Sequence, residues 1–167
     1  MNITNDKKKG NVFNKIDHVA IAVTDLEKSI ILYRDILGFE LTERRETQGE
    51  FSGMISAVFS GGPFSVVLIQ GTSDESQVNK YIDHYGPGVQ HIAFGVENLN
   101  STVESLSKSG MEFATNVIES PETKQIFSKR DEESGMMFEI IERHESTGFS
   151  DNSVNQLFNQ LESKNIY

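Results

Sequence analysis

The 167-residue chain contains no cysteine, which excludes disulfide frameworks and thiolate chemistry. It has no apolar run approaching the roughly 20 residues of a membrane span. Its polar start, MNITNDKKKGN, lacks the apolar middle of a signal peptide. Positive charge is scarce, because 25 acidic residues outnumber 15 basic ones and the formal net charge is −10. Such a field repels nucleic acid and anionic membranes, so we expect neither partner and predict a cytoplasmic protein.

One seven-residue phrase occurs twice in the chain, as DHVAIAV (17–23) and QHIAFGV (90–96). The two histidines, His18 and His91, are 73 residues apart. The β-branched content of each phrase predicts a buried strand. A helix-capping residue, an amphipathic helix and three further strand candidates follow each copy. The sequence therefore predicts an α+β fold of two βαβββ modules and a C-terminal helix.

The boundaries of these parts follow from turn and capping residues. The first module's helix is predicted over Leu26–Leu37, and the spacing of Thr72 and Glu75 predicts a capping box that starts a connecting helix. The predicted parts are a flexible tail over 1–14, modules over 15–71 and 88–143, a helical linker over 72–87, and a C-terminal helix and tail over 144–167.

Strand alternation predicts a metal site. His18 and His91 share their strand faces with small Ala and Gly residues, which leaves space beside each imidazole. Glu139 lies in the apolar strand MMFEIIER, where an unpaired charge is costly. Subtracting the repeat distance of 73 from Glu139 gives Val66, which cannot bind a metal. A lone strand histidine is usually a core residue, but three residues at matching positions favour a two-His, one-carboxylate site.

Several stretches resemble a known family. DHVAIAVTDLEKSIILYRDILGFEL resembles the opening module of the vicinal oxygen chelate superfamily. SQVNKYIDHYGPGVQHIAF, KQIFSKR, FEIIER and GFSDNSVNQLFNQLE resemble, in order and spacing, the C-terminal catalytic half of the 4-hydroxyphenylpyruvate dioxygenase and hydroxymandelate synthase family. The resemblance covers about residues 15–162. It implies a cup-shaped mixed sheet around Fe(II), with His18, His91 and Glu139 as the ligands.

The resemblance also implies residues that handle the substrate. Catalytic positions that hold the 2-oxo acid or orient the substrate would be Ser52, Gln77 and Gln125. Substrate-binding positions would be Phe127, Gln90, Val154 and Phe158. Alternation places Gln125 and Phe127 on one strand face, whereas Gln90 should start from the face opposite His91. The C-terminal helix would form a lid, and its Val154 stands where the family tends to have phenylalanine.

The activity implied is that of an Fe(II)-dependent dioxygenase that uses dioxygen to decarboxylate a 2-oxo acid oxidatively and hydroxylate the same molecule. One alternative is a metal-dependent epimerase or lyase of the glyoxalase or methylmalonyl-CoA epimerase type. Such enzymes need no oxygen and usually have a fourth ligand, a position that Gln70 could reach by strand parity. Another alternative is a resistance-type protein that binds a small molecule without turnover. Unpaired sheet edges make a homodimer a candidate assembly, and His84 and His144 are interpreted as surface residues.

Overall fold

Two βαβββ modules follow one another along the chain, as the repeat predicts. The computed structural model describes residues 12–144 and 148–167, so residues 1–11 of the predicted tail and residues 145–147 lie outside it. The first module contains β1 (Phe13–Ala22), α1 (Leu26–Ile30), a π-helical turn (Ile31–Ile36), β2 (Glu40–Gln48), β3 (Gly53–Ser60) and β4 (Ser65–Gly71). After α2 (Gln77–Tyr85), the second module contains β5 (Gly88–Val96), α3 (Leu99–Lys108), β6 (Ile118–Glu119), β7 (Thr123–Phe127) and β8 (Met137–Arg143), and α4 (Asp151–Ser163) ends the chain.

All eight strands form one curled mixed sheet in the order β2-β3-β4-β1-β5-β8-β7-β6. The first strands of the modules, β1 and β5, pair antiparallel at its centre. Each also pairs in parallel with the last strand of its own module, β1 with β4 and β5 with β8. The predicted α+β cup is confirmed, and its centre brings together the strands that carry both histidines and Glu139.

The outer face of the sheet is covered by the module helices. Asp25 caps α1 by accepting a hydrogen bond from the Lys28 amide at 3.0 Å, and Asn98 caps α3 through the Ser101 amide at 2.9 Å. Apolar residues of each helix pack against the strands below them, with Leu26 of α1 against Leu68 of β4. Because the large apolar side chains fill this face, the opposite, concave face remains for the site.

The first helix differs from the prediction in its second half. It is α-helical only to Ile30 and continues as the π-helical turn. A π-helical turn contains more residues than an α-helical one, so it rotates the positions that a 3.6-residue period places on the buried face. Leu37, the last residue of the predicted helix, is 52% exposed, and Ile36 is 71% exposed.

Two other boundaries also differ from the prediction. Strand β1 begins at Phe13, inside the expected tail, because the Phe13 ring packs on Phe94 with 5.1 Å between ring centroids. Helix α2 begins at Gln77, because the Ser76 side chain, and not the predicted capping box at Thr72, caps its first turn. None of the helices within 12–144 and 148–167 combines the length and apolar character that a membrane span needs.

Candidate metal centre

The three predicted ligands meet on the concave face. His18 Nε2 lies 3.0 Å and His91 Nε2 lies 3.4 Å from Glu139 Oε2, and the two Nε2 atoms are 3.4 Å apart. Two donor atoms that each lie about 2.1 Å from a metal are about 3.0 Å apart when the two metal–donor bonds form a right angle. At tetrahedral angles the same separation is about 3.4 Å. The three observed distances of 3.0, 3.4 and 3.4 Å therefore suit three ligands of one metal in either geometry.

Glu139 gives an independent test of this fit. Its side chain is 1% exposed, and its Oε1 atom has no hydrogen-bond partner within the described part of the chain. A buried carboxylate oxygen without a partner is costly, and a bound cation would offset that cost. The set of two imidazoles and one carboxylate is also the one that non-haem Fe(II) sites use. The residues fit a divalent first-row metal.

Each imidazole is oriented by the residue that precedes it. His18 Nδ1 donates to Asp17 Oδ1 at 3.0 Å, and His91 Nδ1 donates to Gln90 Oε1. These hydrogen bonds leave both Nε2 atoms facing Glu139, which is how metal-binding histidines are commonly held.

Two β-bulges make this orientation possible. Between β1 and β5, His18 pairs with Ala93 and Ala20 pairs with His91, while Asp17 and Gln90 are the extra residues at register shifts. A bulge suspends strict alternation, so a bulged residue and its neighbour can point to the same side. The expectation that Gln90 starts from the opposite face is therefore wrong, because it assumed a regular strand.

The metal-free site is an ion-pair cluster. Burial alone would lower the pKa of His18, but the Glu139 and Asp17 carboxylates outweigh it and raise that pKa to about 9. Burial alone would raise the pKa of Glu139, but His18 and His91 outweigh it and hold that pKa at about 2. Burial lowers the pKa of the His91 imidazole, despite the adjacent Glu139. Without metal, His18 is therefore cationic, His91 is neutral and Glu139 is ionised.

A further layer surrounds the ligands. Arg143 donates to both oxygens of Asp17 at 2.7 Å, and with His18 it holds the pKa of that buried carboxyl well below its usual range, although burial acts in the opposite direction. The Phe149 ring packs edge-on against His18 with centroids 5.0 Å apart, and the Arg143 guanidinium carbon lies 4.9 Å from the centroid of the same ring. Asp17, Arg143 and Phe149 were not predicted, although the residue before each repeated histidine is polar in both copies.

An apolar cavity of about 80 Å³ opens beside the three ligands. The predicted Gln77, Gln90 and Gln125 line it. Helix α4 covers it with one face, and the residues that this helix contributes are Val154, Leu157, Phe158 and Leu161. The helix therefore lies over the site and not on the back of the sheet.

Two predicted substrate residues lie elsewhere. Ser52 is buried outside the cavity lining, where its hydroxyl donates to Glu162 of α4. The serine on the cavity wall is Ser56, which lies on the same face of β3 as Met54 and Val58. The two-residue alternation of a strand could therefore have identified it from the sequence. Phe127 is also buried and packs edge-on against His91 at 5.0 Å without reaching the cavity wall.

The fourth symmetric position is Val67 and not Val66. Ala20 pairs with Val67 as its repeat partner Ala93 pairs with Glu139. The second module is one residue shorter between these points, so the spacing there is 72 and not 73. Val67 lines the cavity, whereas Val66 packs in the core under α1. The residue type at this position, valine, is the same as in the prediction.

Comparisons with known proteins show the family of the chain. A model of the Glyoxalase/Bleomycin resistance protein/Dioxygenase superfamily matches residues 15–140. The chain belongs to this superfamily. Superfamily relatives include a 4-hydroxyphenylpyruvate dioxygenase of Legionella pneumophila (strain Corby), 24% identical over 94% of this chain and 56% of the relative. Another is the mitochondrial methylmalonyl-CoA epimerase of Homo sapiens, 32% identical over 62% of this chain and 59% of the relative.

A solved structure has the same fold. A mutant of 4-hydroxymandelate synthase from Streptomyces coelicolor superposes with a TM-score of 0.82 over 92% of this chain and 56% of that chain, at 21% identity. The chain thus spans little more than half the length of these relatives. The superfamily is one of metal-dependent glyoxalases, dioxygenases and epimerases.

Proposed function

We propose that this chain is an Fe(II)-dependent dioxygenase of the 4-hydroxyphenylpyruvate dioxygenase-like type, which oxidatively decarboxylates a 2-oxo acid and hydroxylates the same molecule. The observation that carries the proposal is the ligand set itself: His18, His91 and Glu139 converge, while the fourth symmetric position is Val67. Three protein ligands leave positions for an oxo acid and dioxygen, as in the two-His, one-carboxylate oxygenases.

The roles of the surrounding side chains follow from their contacts. Fe(II), when bound, would supply chelation of the oxo acid through its carboxylate and keto oxygens and the activation of dioxygen. Asp17 and Gln90 hold the two imidazoles in the orientation that binding needs. Phe127 and Phe149 each shield one imidazole edge from water. Gln77 has a buried Oε1 atom without a partner in the described residues, so its amide is available to the substrate.

The amide of Gln125 is positioned for the same task. It lies on β7, where it pairs with Ile141, two residues from Glu139 on the neighbouring strand. Its amide oxygen accepts a long hydrogen bond of 3.5 Å from the Thr123 hydroxyl, and its side chain is 2% exposed. The amide nitrogen has no hydrogen-bond partner among the described residues, so it could orient a bound carboxylate or keto oxygen beside the metal.

An epimerase is the second candidate, favoured by the 32% identity with the human epimerase. Such a reaction needs a base that moves a proton. The carboxylates on the described cavity wall are Glu139, which faces the histidines, and Glu43, which forms an ion pair with Arg45. Gln70 does not reach the site, because its side chain accepts from the Leu26 amide at 2.6 Å and caps α1. These contacts favour the dioxygenase.

Oxygen dependence distinguishes the two candidates. Anaerobic protein is loaded with Fe(II), mixed with a panel of 2-oxo acids and exposed to oxygen, and oxygen uptake and CO₂ release are recorded. We expect both with at least one panel member, with wild type and with the control His84→Ala, and neither with Glu139→Ala. Absence of both with every 2-oxo acid would refute the dioxygenase, and conversion of an acyl-CoA thioester without oxygen would favour the epimerase.

A further inference from the structure

The cavity wall has two chemically different parts. Strands β1, β5, β7 and β8 supply the metal ligands and the amides of Gln90 and Gln125. The remaining elements supply a mostly aliphatic surface, in which Ser56 and Gln77 are the polar side chains besides one ion pair. Aliphatic residues of this surface include Met54, Val58, Val67, Ile69, Val154 and Leu157.

The cavity is also small. Its volume of about 80 Å³ is well below the roughly 300–1,000 Å³ of pockets that hold drug-sized ligands. With α4 in place, a cavity of this size favours a short side chain over a substituted benzene ring.

Charge restricts the ligand further. Within residues 12–144 and 148–167, the cavity wall has one cationic side chain, Arg45. Arg45 is already engaged: it pairs with Glu43, lies 2.9 Å from Asp151 and donates to the Phe149 carbonyl. A second carboxylate on the substrate would find no unpaired cation there, and burying it without a partner is unfavourable.

We infer that the substrate of this site is a small monocarboxylic 2-oxo acid with an uncharged aliphatic side chain of about three or four carbons. The inference rests on the proposed function, because the oxo-acid head is assigned to the metal. It adds that the aliphatic wall selects the remainder of the molecule. An apolar chain gains by leaving water for this wall, whereas an aromatic ring overfills it and a dicarboxylate leaves a buried charge unpaired.

The test is anaerobic calorimetry with Fe(II)-loaded protein, since binding is then measured without turnover. The probes are 4-methyl-2-oxopentanoate and 3-methyl-2-oxobutanoate, compared with 4-hydroxyphenylpyruvate and 2-oxoglutarate. We expect the aliphatic acids to bind at least about tenfold more tightly than the other two, since one misfitted carbon in an apolar pocket costs about 10–200-fold. Oxygen uptake with each acid is then measured on the same samples.

Two variants of α4 test whether the wall makes the selection. Leu157→Ala enlarges the cavity, so binding of 4-hydroxyphenylpyruvate should improve by about tenfold relative to the aliphatic acids. Val154→Phe fills it, so 4-methyl-2-oxopentanoate should weaken more than the shorter acid, and this variant remains informative if Leu157→Ala does not fold. Gln156→Ala, on the exposed face of the same helix, should leave every affinity unchanged.

The outcomes separate the two proposals. Preference for the aliphatic acids, altered by the two cavity variants and not by Gln156→Ala, supports the inference. Equal or tighter binding of the aromatic acid or the dicarboxylate, with oxygen uptake, overturns the inference and leaves the dioxygenase standing. Failure of every 2-oxo acid to bind and to consume oxygen overturns the proposed function.

Discussion

At the residue scale, the site depends on pairs of neighbouring residues. Asp17–His18 and Gln90–His91 repeat one device, in which a bulged residue accepts a hydrogen bond from the following imidazole. Arg143 adds charge to the first copy only, through its bond to Asp17. The two histidines are therefore held alike but by partners of different charge, so His18 is the stronger electron donor to a metal.

The ligand assignment predicts loss of metal on single substitution. His18→Ala, His91→Ala and Glu139→Ala should each lower Fe(II) affinity by well over the 10–100-fold typical of changes around a ligand set, because each removes a ligand. Equilibrium dialysis with metal analysis measures this, and circular dichroism checks the fold. His84→Ala, at an exposed histidine, is the matched control. Stoichiometric Fe(II) in all three variants would show that the assignment is wrong.

Substitution of Asp17 should lower Fe(II) affinity less than the loss of a ligand does. Asp17→Asn keeps the size of the side chain but weakens the bonds to His18 and Arg143, so Fe(II) affinity should fall by about 10–100-fold without loss of the site. Asp35→Asn, at an exposed aspartate whose side chain accepts hydrogen bonds from its neighbour Arg34, is the control. Unchanged affinity of Asp17→Asn would mean that His18 needs no such support.

The proton on His18 predicts a pH dependence of the metal-free protein. Its pKa is raised from 6.5 to about 9, so its stabilising contribution is complete below pH 6.5 and is lost as pH rises through about 9. The free energy of unfolding should fall over this range by at most about 3 kcal/mol, at 1.36 kcal/mol per pH unit. Chemical denaturation at several pH values, with chelator present, measures the change.

Two controls identify the source of this pH dependence. Glu139→Gln removes the carboxylate that most raises the pKa of His18, so the profile between pH 6.5 and 9 should flatten. Zn(II)-loaded protein should gain stability over the same range, since the metal takes the place of the proton and binds more tightly as pH rises. A flat profile for the metal-free wild type would contradict the proton on His18.

At the element scale, α4 connects the two edges of the cavity. Its start is held by the Arg45–Asp151 ion pair, and its end by Glu162, which accepts from the Phe51 amide at 3.1 Å and from the Ser52 hydroxyl. Gly49 lies under this end, where a Cβ atom would be 2.6 Å from the Glu162 carboxylate. The helix is thus anchored at both ends over the site, an arrangement suited to a lid that excludes water.

The hydrogen bonds of Glu162 should hold α4 over the cavity. Glu162→Ala leaves the buried Ser52 hydroxyl without its acceptor, at a cost of about 1–3 kcal/mol. The α4 amides should therefore exchange hydrogen faster, and oxygen uptake should exceed product formation, while Fe(II) affinity is unchanged. Hydrogen exchange read by mass spectrometry gives the first result. Glu104→Ala, at an exposed glutamate of α3, is the control, and wild-type exchange rates in Glu162→Ala would mean that the apolar face alone holds the helix.

At the scale of the whole molecule, the metal would join the two modules. His18 belongs to the first module, whereas His91 and Glu139 belong to the second.

The long edge strand β2, ELTERRETQ, carries many charges, which disfavours strand pairing between copies. The exposed apolar residues of the π-helical turn are a better surface for the homodimer, which stays a prediction.

Joining the modules predicts a cooperative gain in stability. Metal at 100 times its Kd stabilises the folded state by about 2.7 kcal/mol, which for a chain of this length raises Tm by about 5–10 °C. Calorimetry with and without Zn(II) should show one transition that moves as a unit. Glu139→Ala should show no shift, and two separately melting transitions would indicate that the modules unfold independently.

The repeat and the residue types in it determined much of this protein. Two copies of a strand carrying one histidine, each followed by a capped helix and three strands, were enough to predict the modules, the ligands His18, His91 and Glu139, and a valine opposite them. Periodicity and caps are local properties, so a single sequence contains them. Predictions that assumed one constant period along the chain were wrong in two places. The first helix becomes a π-helical turn after Ile30, and the repeat spacing is 72 at the fourth symmetric position, which is therefore Val67.

Only the tertiary structure decided which polar side chains surround the site. The bulges at Asp17 and Gln90 depend on how β1 and β5 pair, so strand alternation alone misplaced Gln90. Ser52 bonds to Glu162, 110 residues away in sequence, and Phe127 is buried by His91. Such long-range contacts depend on register and on where α4 docks, and neither is a property of a local stretch of residues.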